Sequence, residues 1–376
     1  MKYHTNYILV SLVVIVSYFS IHSTALAQSG TSEQDYIERA KVLEVLSQAQ
    51  KIIPGTNTQA NYQTLKAQVL DGPDSGKTVT VQNDYLNLTQ GEEFYLTHVI
   101  DPLDGIDAYN VSQPYRLPTV LFFVGLFVLA VIVFGGKQGV RGLLSLMVSI
   151  AAIFYVLLPG ILNGYSPILL SVVISSFIVT MGSYITHGFN RTTTAAVLGM
   201  IITICFTGAL AYWAVHATQL SGYTTEESTY LNFDTAGKID FVGLLLGGIM
   251  IGLLGILYDA AIGQAVAVEE LRAAAEHFSR GQVYKRALRI GKEHIGALVN
   301  TLAIAYVGAS LPLLLLLHFS NSSLSITLNQ EIFSTEIVRT VVGSIGLVLA
   351  VPITTLIAVY ILFKWPVERL AKSSSH

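Results

Sequence analysis

Charged residues are scarce in this chain. Only 12% of its 376 residues are Asp, Glu, Lys or Arg, whereas 52% are hydrophobic and the mean hydropathy is +0.58. A soluble domain of this size usually carries about a quarter charged residues, so the composition predicts a polytopic membrane protein. The formal net charge of −3 is too small to indicate a nucleic-acid partner, and we expect none.

Cysteine and the common catalytic motifs are also scarce. Cys205 is the one cysteine and stands in an apolar run, which excludes an intrachain disulfide. P-loop, Gly-x-Ser-x-Gly and HExxH motifs are absent, and no two histidines have the spacing of a metal site. We therefore expect no enzyme activity, no metal and no cofactor.

The N-terminus has the layout of a signal peptide over residues 1–27. Lys2 and His4 precede an apolar run from Tyr7 to Phe19, and Ala25-Leu26-Ala27 supplies small residues at a cleavage site. The run is shorter than the roughly 20 residues that a spanning helix needs. An uncleaved anchor helix is the alternative, and both interpretations put residues 28–115 outside the cytoplasm.

Residues 28–115 show the alternation of β-strands. Leu65, Ala67 and Val69 alternate with polar residues, and a turn over residues 71–76 precedes a similar run. We count about five short strands, which predicts a small OB-like β-barrel, with a β-sandwich fragment as the alternative. Such a domain outside the cytoplasm could bind a protein partner.

Seven apolar segments follow, and they predict a seven-helix transmembrane bundle over residues 116–365. They are residues 119–134, 143–162, 168–185, 194–216, 241–258, 295–318 and 337–363. If the mature N-terminus is outside, the inner loops, Lys364 and the tail 366–376 together hold twelve Lys and Arg residues, whereas the outer loops hold only Lys238. This bias predicts a cytoplasmic C-terminus, as expected for a multi-pass protein of the cell membrane.

The fifth apolar segment is rich in glycine at small-xxx-small spacing, which predicts close packing against a neighbouring helix or a second copy of the chain. The glycines are Gly243, Gly247, Gly248, Gly252 and Gly255.

A cytoplasmic segment, residues 259–294, follows the fifth apolar segment. We expect its basic side chains to lie at the lipid surface; they are Lys285, Arg286, Arg289 and Lys292.

Polar residues in the fifth and sixth apolar segments form a candidate intramembrane site. They are Asp259, Asn300, Thr301 and Tyr306. An acid at the membrane needs a partner or water, so Asp259 either couples a cation or proton to transport or is simply solvated at the interface.

Three short segments resemble the YibE/F family. They are Gly252-Leu253-Leu254-Gly255-Ile256-Leu257-Tyr258-Asp259, Gly296-Ala297-Leu298-Val299-Asn300-Thr301-Leu302 with Ala305-Tyr306-Val307-Gly308, and Glu336-Ile337-Val338-Arg339 with Gly343-Ser344-Ile345-Gly346-Leu347 and Pro352. The resemblance covers residues 117–363, although a tyrosine precedes Asp259 where a smaller residue is expected. It implies a bacterial multi-pass membrane protein and carries over no catalytic residue.

Two functions are compatible with these patterns. The first is a transporter or permease component in which Asp259, Asn300 and Tyr306 line the inner half of a path. The second is a non-transporting assembly, sensing or signalling protein that binds a partner through its extracytoplasmic domain. The clustering of polar groups on two adjacent apolar segments favours the first.

Overall fold

The computed structural model describes residues 36–52, 59–84, 86–101, 106–319 and 322–364. The predicted signal peptide and the tail 366–376 lie outside these residues. The chain divides into two compact units, Met1–Leu126 and Phe127–His376.

The N-terminal unit is a closed five-stranded barrel, which confirms the predicted small barrel. Its strands are β1 (Tyr36–Ile52), β2 (Gln59–Val69), β3 (Thr78–Asn83), β4 (Glu93–Asp101) and β5 (Ile106–Pro114). They follow the order β1-β2-β3-β5-β4 around the barrel. The β3–β5 pair is parallel and the other pairs are antiparallel.

The barrel core follows the predicted alternation. Leu65, Ala67 and Val69 are at most 1% exposed, whereas Lys66 and Gln68 between them face solvent. Phe94 and Leu96 of β4 are fully buried against the same core. Because side chains alternate across a strand, one register buries all of these residues together.

The C-terminal unit is helical. The helices are α1 (Leu117–Ala152), α2 (Leu158–Leu162), α3 (Pro167–His187), α4 (Arg191–Ala217), α5 (Glu226–Asp234), α6 (Phe241–Gly252), α7 (Leu254–Ala274), α8 (Arg280–Ala309), α9 (Leu311–Phe319), α10 (Leu324–Leu328) and α11 (Glu331–Leu362). A π-helical turn, Ile153–Leu157, joins α1 to α2. Helix α11 packs against α4, α7 and α8 and forms the centre of the bundle.

Five helical stretches among the described residues are long and apolar enough to cross a membrane, and a sixth is added if α8 and α9, bent by 69°, count as one span. The structure thus confirms an apolar helical bundle with five to six such helices, whereas the count of seven is not reached. The difference arises at α1, where two predicted segments belong to one helical stretch, Leu117–Leu162.

Helix α1 is interrupted at Gly136, which has a φ of 52° and a ψ of −134°. Residues 135–142, predicted as a loop, are otherwise helical. A Cβ on Gly139 would collide with the carbonyl oxygen of Val131. Residues eight apart in a straight helix are about 12 Å from one another, so the chain bends sharply at Gly136.

Asp259 lies further from a helix end than the sequence predicted. After a short break at Leu253, the chain continues as α7 to Ala274, so that Phe241–Ala274 forms one 34-residue stretch. The predicted cytoplasmic segment 259–294 is therefore divided between α7 and α8. Alanines and a glycine follow Asp259, and small residues of this kind let the helix backbone approach its neighbours closely.

Candidate functional site

A cavity of about 210 Å³, lined mainly by apolar atoms, lies between α7, α8 and α11. Asp259 and Gln264 of α7 and His294 of α8 contribute its polar side chains, and Leu298 and Val351 contribute apolar walls. Asp259 and His294, which are exposed, and the buried Gln264 therefore line a single space in the helical unit. This arrangement can bind a small cation or a molecule with hydrogen-bonding groups.

Gln264 is held in place by an interhelical hydrogen bond. The Thr355 hydroxyl donates to Gln264 Oε1 over 2.8 Å, and Gln264 is only 3% exposed. A Cβ on Gly291 of α8 would collide with Gln264 Nε2, so the glycine makes room for the carboxamide. Thr355 and Gly291 thus fix one wall of the cavity from two different helices.

Tyr306 lines a different cavity. This space, about 270 Å³, lies between α8, α9 and α11 and also contacts Ser310 and Glu336. The Ser310 hydroxyl donates to Glu336 over 3.3 Å, and Arg339 forms an ion pair with Glu336 at 3.0 Å, one turn along α11. The hydroxyl of Tyr306 also occupies the space beside Gly252.

The four predicted intramembrane polar residues do not form one site. Asp259 and Tyr306 line separate cavities. Asn300 and Thr301 are exposed and line neither of the two, and the Thr301 hydroxyl donates to Ala297 O of its own helix over 2.9 Å. Sequence patterns missed Gln264 and His294, because only the crossing of α7, α8 and α11 brings them beside Asp259.

The glycines of the fifth apolar segment differ in their surroundings. A Cβ would collide with a neighbouring side chain at three of them, namely with Asp240 at Gly243, Ser171 at Gly247 and Tyr306 at Gly252. At Gly248 and Gly255 it would meet no atom within 4 Å. The structure thus places part of the stripe against α3 and α8 and leaves another part open.

The basic residues near the start of α8 lie on one exposed face. Val283, Ala287 and Gly291 form the buried face at four-residue spacing. All four predicted side chains, Lys285, Arg286, Arg289 and Lys292, are exposed. The guanidinium of Arg286 also packs over the ring of Phe278 at 4.3 Å.

A second polar group, which sequence spacing did not indicate, lies in the barrel. Glu38 of β1, Asp74 of the β2–β3 turn and His98 of β4 are buried, and one potential ligand atom from each lies within 4.8 Å of the others. In the β1–β4 pairing Glu38 is opposite Leu96, two residues from His98. Side chains two residues apart share a face of a strand, so the register brings these distant residues together.

Asp74 is the centre of this group. Its Oδ2 lies 2.9 Å from His98 Nδ1 and accepts a hydrogen bond from the Tyr109 hydroxyl at 2.6 Å, while Lys77 donates to its other oxygen. The hydrogen bonds from Lys77 and Tyr109 hold the pKa of the Asp74 carboxyl below its usual range, and His98 adds a smaller Coulombic effect. Asp74 is therefore an ionised oxygen donor at neutral pH.

Comparison with known proteins supports the resemblance already noted. Residues 123–364, well over half of the chain, match the family model described as YibE/F-like protein. Neither the curated proteins nor the solved structures contain a significant match. The matched range contains the bundle from the second turn of α1 onward and both cavities, but not the barrel. The chain belongs to the YibE/F-like family.

Proposed function

We propose that the chain is a transporter or permease component and that the cavity beside Asp259 binds its solute. The observation that carries this proposal is the meeting of Asp259, Gln264 and His294 in one cavity between helices that are apolar enough to cross a membrane. Ionisable side chains in such helices are costly, and they are typical of substrate and ion pathways.

The helix that carries Asp259 begins at the break between α6 and α7, and the continuous helix α11 contains a proline. The break at Leu253 lies six residues before Asp259, and Pro352 stands within α11 next to the cavity residue Val351. Discontinuous helices are a common feature of transporter binding sites, because freed backbone groups can face a solute. A cavity of about 210 Å³ fits an inorganic cation with part of its hydration shell, or a molecule of a few heavy atoms.

We propose seven membrane crossings, with the barrel outside and the C-terminus in the cytoplasm. The bend at Gly136 would divide the 46-residue stretch Leu117–Leu162 into two crossings, and the bent pair α8 and α9 would supply another. The excess of Lys and Arg in the loops assigned to the inside supports this orientation. So does the exposed basic face of α8, which could contact anionic lipid.

Flux measurements in reconstituted vesicles test the transport proposal. The purified chain would be placed in liposomes loaded with dyes for H⁺, K⁺ and Mg²⁺, and swelling would report small neutral solutes. We expect flux of at least one solute and a loss of roughly tenfold in Asp259→Asn, because the cavity loses its carboxylate. Glu270→Gln is the matched control, since Glu270 is an exposed acid of α7 outside the cavity lining.

The transport proposal fails if the wild-type chain shows no flux above empty vesicles, or if Asp259→Asn and Glu270→Gln behave alike. His294→Gln provides a second measurement, because it changes the cavity from the α8 side. A solute that binds there should be transported more slowly in both cavity variants.

A non-transporting assembly or sensing protein is the second candidate. It is favoured by a barrel that has its own core and carries a surface groove of about 460 Å³ lined by Asn87, Glu92, Glu93 and Tyr115. Such a groove would receive a polar segment of a partner. Deletion of residues 28–115 separates the two candidates, since a transporter retains basal flux and an assembly protein loses its co-purifying partner.

A further inference from the structure

The barrel contains the most concentrated set of metal-ligating atoms in the part of the chain that the structure describes. We propose that Glu38, Asp74 and His98 bind one divalent transition-metal ion, with Zn²⁺ as the reference ion, at the end of the barrel. The site is independent of the transport proposal. It would join β1, the β2–β3 turn and β4, which are far apart in sequence.

Glu38 provides the observation that points to a ligand. The residue is 1% exposed, and its Oε1 accepts a hydrogen bond from the Asp74 backbone N–H over 2.8 Å. Its Oε2 is buried and has no hydrogen-bond partner. A carboxylate oxygen without a partner is costly in a protein interior, and a cation bound between Glu38, Asp74 and His98 would compensate for it.

The backbone makes room for this carboxylate. Gly72 has a φ of +82°, a conformation that favours glycine, and a Cβ there would collide with three atoms of the Glu38 side chain. The turn therefore closes directly over Glu38. Asp74, two residues later in the same turn, has a carboxylate oxygen within 4.8 Å of potential ligand atoms of Glu38 and His98.

The neighbours of the ligands resemble the outer shell of a metal site. Tyr109 donates to Asp74 Oδ2, and its ring stacks on His98 with centroids 4.1 Å apart. These contacts fix the orientation of both side chains, as hydrogen-bonded outer partners do around bound metals. Lys77, whose side chain is 62% exposed, contacts Asp74 from the solvent side.

The donor set indicates the class of metal. Two carboxylates and one imidazole suit Zn²⁺ and similar first-row ions, whereas Ca²⁺ prefers oxygen ligands alone. Three protein ligands leave one position of a tetrahedral ion for water. Lys77 competes with the metal for Asp74, because its ammonium already neutralises this carboxylate.

The explanation without a metal is a buried ion-pair network. The Lys77 ammonium and the His98 ring both contact Asp74, so this carboxylate already has a counter-charge and polar partners within the barrel. The network leaves Glu38 Oε2 unexplained, since this buried oxygen has no hydrogen-bond partner. The two explanations predict opposite effects when Lys77 is replaced.

Metal content and affinity of the full-length protein in detergent test the proposal. The metal-free protein would be incubated with Zn²⁺, passed through a desalting column and analysed by mass spectrometry for bound metal, and a chromophoric chelator would measure affinity by competition. We expect one Zn²⁺ per chain. Glu38→Gln and His98→Gln should each weaken Zn²⁺ binding by at least roughly tenfold, because even the loss of an outer-shell contact typically weakens metal binding by about that factor.

The matched controls are Glu44→Gln, which changes an exposed acid of β1, and His216→Gln, which changes a histidine of α4. Neither should alter Zn²⁺ content. Equal content in wild type and Glu38→Gln, or equal losses in Glu38→Gln and Glu44→Gln, would overturn the proposal. Hydrogen exchange of barrel peptides would verify that each variant is folded.

Lys77→Gln keeps all three ligands and decides the question if Glu38→Gln fails to fold. A metal site should bind Zn²⁺ several-fold more tightly once the competing ammonium is gone. In a simple ion-pair network the same substitution would leave Zn²⁺ binding unchanged or weaker, and that result would also overturn the proposal.

Discussion

The barrel and the helical bundle both bury polar side chains, but these side chains differ in kind and in the hydrogen bonds that they form. The buried polar residues of the barrel are carboxylates, carboxamides and a histidine, and they include Glu38, Gln63, Asp74, Asn83 and His98. Those of the bundle are mostly serine and threonine, with Gln264 and Arg272 as exceptions. The difference follows from the backbone carbonyls. A strand carbonyl is used by the neighbouring strand, whereas a helix carbonyl can accept a second hydrogen bond from a nearby side chain.

Gln63 illustrates the barrel. Its Oε1 accepts hydrogen bonds from Asn83 Nδ2 at 2.8 Å and from Leu88 N–H at 2.9 Å, and its Nε2 donates to Leu88 O at 3.0 Å. One side chain therefore joins β2 to β3 and to the segment that follows β3. Strand carbonyls are used by the neighbouring strand, so a buried polar side chain in a barrel has to reach another segment.

Thr203 illustrates the bundle. It is fully buried, and its hydroxyl donates to Gly199 O, four residues earlier, over 2.8 Å. Ser149, Ser176 and Thr180 form the same contact within their own helices. A helix carbonyl can accept a second hydrogen bond, so these four hydroxyls are satisfied within one helix. Other buried hydroxyls of the bundle, such as those of Ser171 and Thr354, have no hydrogen-bond partner. Polar contacts should therefore matter more for the barrel, and close backbone packing more for the bundle.

The largest effect is expected for Gln63→Leu in the barrel. Leucine has a similar size but leaves the N–H and C=O of Leu88 and the amide of Asn83 with fewer partners, and each unsatisfied buried group costs about 1–3 kcal/mol. We expect the free energy of opening of the barrel to fall by about 2–4 kcal/mol. Hydrogen exchange measured on barrel peptides in the full-length protein would report it.

The control for this prediction is Gln68→Leu, which makes the same chemical change on the exposed face of β2. It should alter the barrel by less than about 0.5 kcal/mol. If Gln63→Leu were as mild as Gln68→Leu, the hydrogen bonds of Gln63 would be dispensable and the contrast with the bundle would disappear.

The barrel also indicates how far the sequence alone can lead. Leu65, Ala67 and Val69 predicted the buried face of β2, because period-two alternation is a local property. Glu38 and His98 stand 60 positions apart, and their meeting depends on the β1–β4 register, which no local pattern contains. The barrel was therefore predictable from the sequence and its polar group was not.

The bundle shows the same limit. Apolar runs predicted most of its long helices, but the helix through Asp259 continues to Ala274, because the alanines after Asp259 pack in the bundle and do not enter a loop. The candidate cavity depends on helix crossings. His294 is the last residue of the predicted cytoplasmic segment 259–294, yet it lines the cavity with Asp259.

A smaller effect is expected for Gly199→Ala in the bundle. A Cβ at this position of α4 would collide with Thr354 of α11, including its Cα. Overpacking of this kind typically costs 1–3 kcal/mol, so we expect α4 and α11 to separate at the cost of about 1–3 kcal/mol. Unfolding in mixed micelles with an increasing fraction of SDS would measure the loss.

Gly248→Ala is the matched control, because no atom lies within 4 Å of its Cβ position. Alanine favours a helix over glycine by roughly 0.5–1 kcal/mol, so this variant should be neutral or slightly more stable. Equal destabilisation by the two variants would mean that the glycines act through helix propensity and not through close packing.

The smallest effect is expected for Thr203→Val. The substitution keeps the shape of the side chain and removes a hydroxyl whose acceptor, Gly199 O, retains its ordinary helical partner. We therefore expect a change of less than about 1 kcal/mol in the SDS titration.

Thr355→Val is the sharper comparison, because the Thr355 hydroxyl also donates to Gln264 Oε1 across the helix interface. Thr355→Val should cost about 1 kcal/mol more than Thr203→Val. Equal costs would contradict the distinction between hydroxyls that form hydrogen bonds within one helix and polar groups that join two segments.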